Sequence, residues 1–188
     1  MIRFAGVEDG PVLLKIYAQY IETAVTFECA LPKETEFSQR IEEISQDYPY
    51  LVWEEDGRII GYAYAHRYKE REAYQWTAEL SVYVDQKSAV RGVGRRFYQM
   101  LLAILKRQGV RTVYGIVTVP NEKSEKLHKV FGFQRIGVYH SIGYKCGRWH
   151  DVALFEKKLL TGDSEPEPFL PIHLLSHEEL SAVLLEQM

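Results

Sequence analysis

The chain opens with a short apolar run, Ile2–Ala5, that reads as a first strand. From Val12 to about Thr23 the apolar residues Val12, Leu13, Ile16, Tyr17, Tyr20 and Ile21 recur at helical spacing. Val25–Glu28 reads as a short extended or looped piece, and Pro32 begins a polar stretch. Phe37, Ile41 and Ile44 then share one face of a second helix, Glu34–Ser45. Strands follow. Tyr50–Glu54 is apolar, Asp56-Gly57 suits a two-residue hairpin turn, and Arg58–His66 is the return strand. The charged segment Arg67–Ala73 reads as a loop. Within Tyr74–Val84, Thr77, Glu79, Ser81 and Tyr83 alternate against Ala78, Leu80, Val82 and Val84. One face of this long strand therefore carries Glu79.

After the polar Asp85–Ala89, Arg91-Gly92-Val93-Gly94-Arg95 runs straight into the apolar series Phe97–Leu105. That order is strand, glycine loop, helix. The helix should stop near Gly109, because Lys106 and Arg107 suit the negative end of its dipole. Val110–Val119 is a further strand and Pro120-Asn121 breaks it. Glu122–Val130 is a short helix containing Leu127 and His128, and Phe131–Phe133 turns into strands at Gln134–Ser141 and Trp149–Phe155. Strands and helices mix without a strict βαβ repeat, which predicts an α/β (α+β) mixed sheet in a single domain over residues 1–160. Residues 161–188 read as a C-terminal extension. Asp163–Pro168 is linker-like, and Ser176 with Glu179 forms a capping box for a short helix through Leu180, Val183, Leu184 and Leu185. This tail reads as packing on the domain or on a partner, with a mobile tail as the alternative.

Composition narrows the classes. A chain of 188 residues with 46% hydrophobic and 26% charged positions suits one ordinary globular domain. A formal net charge of -3 with both signs interspersed provides no broad basic field for nucleic acid or a membrane surface. Cys29 and Cys146 each stand alone, so neither a disulfide framework nor a zinc site is expected, and both read as reduced, partly buried residues. His140, His150 and Asp151 lack zinc-ligand spacing, so no metal is expected. No signal peptide or membrane span is visible, and a cytoplasmic location is expected.

The glycine loop carries specific physics. Glycines let successive amides turn toward an anion without a Cβ in the way, and the following helix adds free N–H groups and a positive dipole end. Phosphate is the natural guest, although a glycine pair before a helix is also an ordinary tight turn. The dinucleotide fingerprint fails because Phe97 occupies the third glycine position, and the nucleotide P-loop fails for want of a Gly-Lys-Ser/Thr ending.

Several blocks together resemble a known superfamily. They are Ala89-Val90-Arg91-Gly92-Val93-Gly94, Tyr74-Gln75-Trp76-Thr77-Ala78-Glu79 before Ser81-Val82-Tyr83-Val84, Pro120-Asn121 with Leu127-His128, and Gly143-Tyr144-Lys145 with Gly147-Arg148-Trp149-His150-Asp151-Val152. Over about Ile2–Leu159 the chain resembles the GNAT N-acetyltransferase superfamily, closest to its phosphinothricin and methionine sulfoximine N-acetyltransferase branch. One departure stands out. Ala89 occupies the place of the usual glutamine or arginine, so its side chain offers phosphate nothing.

The resemblance implies the acyl-CoA N-acyltransferase fold, acetyl-CoA as cofactor, and transfer of acetyl to the primary amine of a small amino acid-like acceptor. It places Val82, Tyr83 and Val84 beside the pantetheine arm, on a strand that splays from Val110–Val119. It places Val90, Arg91, Gly92, Val93, Gly94 and Arg95 on the pyrophosphate, with Asn121 near the pantetheine or thioester. Glu79 matches the proposed general base and His128 a second active-site position. Phe27 and Glu28 match the substrate loop. Tyr74 and Lys145 are nearby candidates for acceptor contact, with an ordinary surface role as the alternative, and His150 either binds the acceptor or locks the last strands together. It also implies a homodimer. The residues alone leave other readings open. Glu79 could face solvent or sit in an ion pair, and His128 could be a hydrogen-bonded helix histidine packed under Phe131. The whole chain could also be a non-catalytic acyl-CoA-binding or sensor module.

Overall fold

The computed structural model describes residues 1–162 and 164–186. Seven strands form one sheet: β1 (Ile2–Phe4), β2 (Tyr50–Glu55), β3 (Arg58–Arg67), β4 (Thr77–Val84), β5 (Thr112–Val119), β6 (Gln134–Lys145) and β7 (Arg148–Lys158). Their order is β1-β2-β3-β4-β5-β7-β6. Among the described residues only β4 and β5 are parallel neighbours; the other pairs are antiparallel. Asp56 and Gly57 both take positive φ between β2 and β3, the backbone that a two-residue hairpin requires.

Helices cover both faces. α1 (Gly10–Ile21) and α2 (Glu34–Asp47) lie on one, with α3 (Val93–Arg107) and α4 (Glu122–Val130) on the other. Strand periodicity divides the core accordingly. Tyr50, Val52 and Tyr62 pack with Leu13, Ile16, Tyr17, Phe37 and Ile41. Their neighbours Leu51 and Ala63 point the opposite way and join Ala78, Leu80, Phe97, Leu101 and Ile104 under α3.

Several boundaries differ from the sequence pattern. Glu72–Tyr74 forms a 3-10 turn, with Gln75 N–H donating to the Glu72 carbonyl at 3.0 Å, so β4 starts at Thr77 rather than Tyr74. α3 starts inside the glycine motif, at Val93. β6 reaches Lys145 because a bulge between Tyr139 and Gly143 carries the strand past Ser141. Asp151 secures that bulge, accepting from Ser141 N–H at 2.8 Å and pairing with His140 Nδ1 at 3.0 Å. Cys29 and Cys146 are exposed, not partly buried, since both sit in surface turns.

The C-terminal segment packs on the body. Ile172, Leu175 and Val183 join the α3-side core. Gln108, fully buried at the end of α3, donates to the Asp47 and Leu170 carbonyls at 2.6 and 3.0 Å. The box predicted at α5 (His177–Glu186) forms: Glu179 N–H reaches Ser176 Oγ at 3.2 Å while Ser176 N–H reaches Glu179 Oε2 at 2.8 Å. Of the predicted linker Asp163–Pro168, Asp163 lies outside the described residues, as do the side chains of Leu184 and Leu185.

Candidate active site

The central feature is a fork in the sheet. β4 and β5 pair at Thr77–Thr112, Ala78–Val113 and Glu79–Tyr114, and no further. β4 stays paired with β3 up to Val84, while β5 stays paired with β7 up to Val119. The inner edge of β4 between Glu79 and Val84 is therefore unpaired with β5, the splay that the family resemblance implies. Val84 N–H and C=O are both engaged by the Tyr20 hydroxyl, at 3.3 and 2.5 Å. By the two-residue ladder period, Val82 N–H and C=O point the same way, into the fork. Tyr83 turns its backbone to β3 and its ring into the neighbouring cavity.

The glycine loop stands at the mouth of the fork. Gly92 is the N-cap of α3 with φ 80°, a left-handed conformation that glycine adopts at little cost. A side chain there would meet nothing within 4 Å, so the constraint is the backbone and not crowding. The first-turn amides of α3, at Val93, Gly94 and Arg95, have no carbonyl one turn earlier to bond and point outward at the positive end of the helix. Arg91 and Arg95 are exposed, as is Ala89, while Val93 is buried as an anchor for the turn. Asn121 is the N-cap of α4, its Oδ1 accepting from Ser124 N–H at 3.2 Å. Helix-start amides on a left-handed glycine turn, next to open strand edge, fit a long phosphate-bearing donor with an amide-rich arm.

On the α1–α2 face a cavity of about 390 Å³ adjoins the fork. Tyr17, Tyr50, Tyr62, Tyr64 and Tyr83 form its aromatic wall, and Glu28, Arg40, His66 and Glu79 supply charge or titratable groups. Phe27 lines it as well. Glu79 lies at the crotch, the last residue of β4 paired with β5, with its side chain 21% exposed. Burial pushes its carboxyl above the ordinary value, and nearby His66 pulls it partly back. The Tyr17 hydroxyl holds the loop at Thr26–Glu28, bonded to Thr26 Oγ1 at 2.6 Å and donating to Glu28 Oε2 at 2.9 Å. Arg40 bridges Glu28 and Glu36 at 2.7 and 2.6 Å.

The remaining expected site residues lie elsewhere. Lys145 and His150 stand behind the loop and outside the cavity lining. Lys145, 7% exposed, donates to the Thr26 carbonyl at 2.6 Å, and His150 Nε2 bonds the Lys145 carbonyl at 2.9 Å. Phe27 lies so close over Gly143 that a Cβ there would fall 2.2 Å from its ring. Tyr74 sits on the 3-10 turn, with the Lys69 ammonium 5.1 Å from its ring centroid. His128 is 2% exposed on the α3–α4 face. Its Nδ1 bonds the Ser124 carbonyl at 2.8 Å, its Nε2 meets the Tyr98 hydroxyl at 3.0 Å, and its ring stacks on Phe155. It fills the space a side chain at Gly115 would need, since a Cβ there would fall 1.9 Å from Nε2. Burial lowers its pKa.

Two cavity residues escaped the sequence reading. Arg40 lies between Phe37, Ile41 and Ile44, a charge set inside an apolar helical stripe. His66 faces Glu79 once Arg58–His66 is folded back on the Glu79 strand. Both signals were present in the spacing.

Open strand edge beside a glycine-led helix N-terminus, with a largely buried carboxylate at the base of the fork, suits transfer of a group from a phosphate-bearing donor. The comparisons agree. The family described as Acetyltransferase (GNAT) domain matches residues 2–154. Phosphinothricin N-acetyltransferase of Streptomyces viridochromogenes is 34% identical over 172 residues, 91% of this chain and 93% of that protein. L-methionine sulfoximine/L-methionine sulfone acetyltransferase of Pseudomonas aeruginosa is 30% identical, covering 88% of this chain and 98% of its own. The crystal structure of a phosphinothricin acetyltransferase from Sinorhizobium meliloti in complex with AcCoA is similar at a TM-score of 0.84 and 30% identity, over 89% of this chain and 92% of that one. The chain belongs to the GNAT acetyltransferase family, near the phosphinothricin and methionine sulfoximine acetyltransferases.

Proposed function

We propose that the protein transfers acetyl from acetyl-CoA to the primary amine of a small amino acid-like acceptor of the phosphinothricin or methionine sulfoximine type, with Glu79 as general base. The observation that carries this reading is the position of Glu79. It is the last β4 residue paired with β5, so one carboxylate reaches both the opened strand edge and the tyrosine-walled cavity. A relative solved with AcCoA and relatives named for these acceptors support the donor and acceptor classes.

The amine attacks only once it has lost a proton. A carboxylate whose affinity for protons is raised by burial accepts one more readily than an exposed carboxylate does. Val82 N–H, pointing into the fork, is placed to donate to the oxygen that gathers charge as acetyl moves. The backbone of Val90–Arg95 holds the pyrophosphate through amides, which makes the loss of a polar side chain at Ala89 tolerable. Val82 lies along the arm, with Tyr83 and Val84 flanking it and Asn121 opposite. Phe27 and Glu28 contact the acceptor directly. Lys145 and His150 serve it through the loop they support, and Tyr74 borders the entrance. His128 serves packing beneath Gly115.

A sensor without catalysis would need Glu79 shielded from the cleft, and Glu79 lines it. Residues 1–160 form the catalytic domain in this reading and 161–188 its extension. A second copy covers the exposed apolar residues Ile136, Tyr139, Ile142, Tyr144 and Trp149 at the β6–β7 end. No helix among the described residues is long and apolar enough to cross a membrane. A cytoplasmic location is part of the proposal.

A turnover screen with acetyl-CoA tests the activity, run over glutamate analogues, methionine sulfoximine, methionine sulfone, free amino acids and polyamines. Acetylation confined to small α-amino acids supports the acceptor class. Tight CoA binding with no turnover on any amine would favour the sensor.

A further inference from the structure

The antiparallel register of β3 and β4 sets His66 directly opposite Glu79. Both side chains line the acceptor cavity, and His66 Nε2 stands 4.0 Å from Glu79 Oε2. That separation is too long for a hydrogen bond and suits one proton passed by a small rotation or through a single water. The other ring nitrogen fixes the tautomer. His66 Nδ1 lies 2.9 Å from the Arg67 carbonyl oxygen, which only accepts, so Nδ1 carries the hydrogen. In the neutral ring Nε2 is then a bare lone pair on the side of Glu79. Two acceptors face each other across the gap, and a proton arriving on either is shared with the other.

We infer that His66 relays the acceptor's proton from Glu79 to solvent, so that the base of this site is a carboxylate–imidazole pair. The inference rests on the reading of Glu79 as the base. In the proton account, the N–H bond of the acceptor ammonium breaks as an O–H forms on Glu79. That O–H breaks as an N–H forms at His66 Nε2, giving an imidazolium hydrogen-bonded to Arg67 through Nδ1. The imidazolium then returns a proton to water, and Glu79 is again a carboxylate. Exposure orders the pair correctly: the His66 side chain is 34% exposed against 21% for Glu79, so the imidazole is the outer group.

The other groups around the pair do not compete for the proton. Tyr64 on β3, Tyr68 beyond it, Tyr98 across the sheet and Tyr114 on β5 are all pushed up by burial, Tyr114 to about 12, and stay neutral at working pH. Arg40 is permanently charged and is paired with Glu28. Histidine is the side chain that ordinarily changes charge near neutrality.

The test uses the full-length protein carrying His66→Gln or His66→Asn. Neither replacement can take up a proton in this range. Acetyl transfer is measured near neutral pH in dilute buffer, then with added imidazole, alongside acetyl-CoA binding by calorimetry. The expected result is a kcat lowered roughly tenfold, less than the ~10²–10⁴-fold of a primary base because Glu79 itself remains. Added imidazole should restore it in both variants while CoA affinity stays within about twofold of the parent. A kcat equal to the parent's, or a loss that imidazole leaves untouched in both variants, overturns the relay. Failure of the wild-type protein to acetylate any amine is a different result. It removes the base reading itself and the relay with it.

Discussion

On each face of the sheet at the fork an ionisable group predicted for catalysis lies largely out of water, and the two are treated differently. On the α3–α4 face His128 is closed in: both ring nitrogens have partners and aromatic rings pack around it. On the α1–α2 face Glu79 is also largely removed from water, yet among the described residues no donor reaches it within hydrogen-bond range, and the His66 imidazole stands 4.0 Å away beside an open cavity. A saturated buried group holds structure. A buried group left with spare bonding capacity beside a cavity is ready for a substrate. Burial alone does not separate the two; the remaining bonding capacity does.

Substitution on each face sharpens this contrast. The largest expected effect is on turnover: Glu79→Gln should lower kcat by roughly 10² to 10⁴, the usual contribution of a positioned base, and steady-state kinetics reads it. The same kinetics on His128→Asn should show a far smaller loss, and equal losses would erase the distinction between the faces. His128→Ala should instead cost about 2–4 kcal/mol of stability by emptying packed space and unpairing Tyr98, measured by denaturant titration.

Next comes the loop. Lys145→Met keeps the length of the side chain and deletes the bond to Thr26, a charge-assisted hydrogen bond worth about 1.5–3 kcal/mol. The acceptor KM should rise while the acetyl-CoA KM holds, because the Thr26–Glu28 loop lines only the acceptor cavity. Gly92→Val should weaken CoA binding about tenfold by calorimetry, since a β-branched residue at φ 80° costs about 1–2 kcal/mol.

The smallest effect has a definite sign. Glu79 has a raised pKa in the folded protein, so the wild type loses stability as pH rises through that value. Glu79→Gln escapes this loss. The variant should melt higher than the parent at pH 8, and the gap should close as pH falls below the ordinary carboxyl range.

The fold was legible in the chain to the extent that local periodicity decides it. α4 and the β2–β3 hairpin follow from apolar spacing and the Asp56-Gly57 turn. The capping box at Ser176 was readable for the same reason, because both partners lie within one helical turn. What escaped depends on residues distant in sequence. The bulge that carries β6 past Ser141 is fixed by Asp151 on the next strand, and nothing between Gln134 and Ser141 announces it. The site divides in the same way. Glu79 stood out as a charge in an apolar strand, and Phe27 and Glu28 came from the family resemblance. Lys145 and His150 were expected to touch the acceptor. Their burial behind Thr26 and Phe27 depends on a hairpin more than a hundred residues away, which local pattern does not encode. Arg40 and His66 were within reach, had the second helix and the strand pairing been projected onto the face that carries Glu79.

The pH dependence of kcat/KM for the acceptor, compared between the wild type and Glu79→Gln, tests the central claim most directly. A buried carboxylate acting as base predicts a wild-type activity that rises with pH through a midpoint above the ordinary carboxyl range. That limb should vanish in Glu79→Gln, leaving a low rate without it. The same rising limb in both proteins, at comparable activity near neutral pH, would contradict Glu79 as the base at the fork.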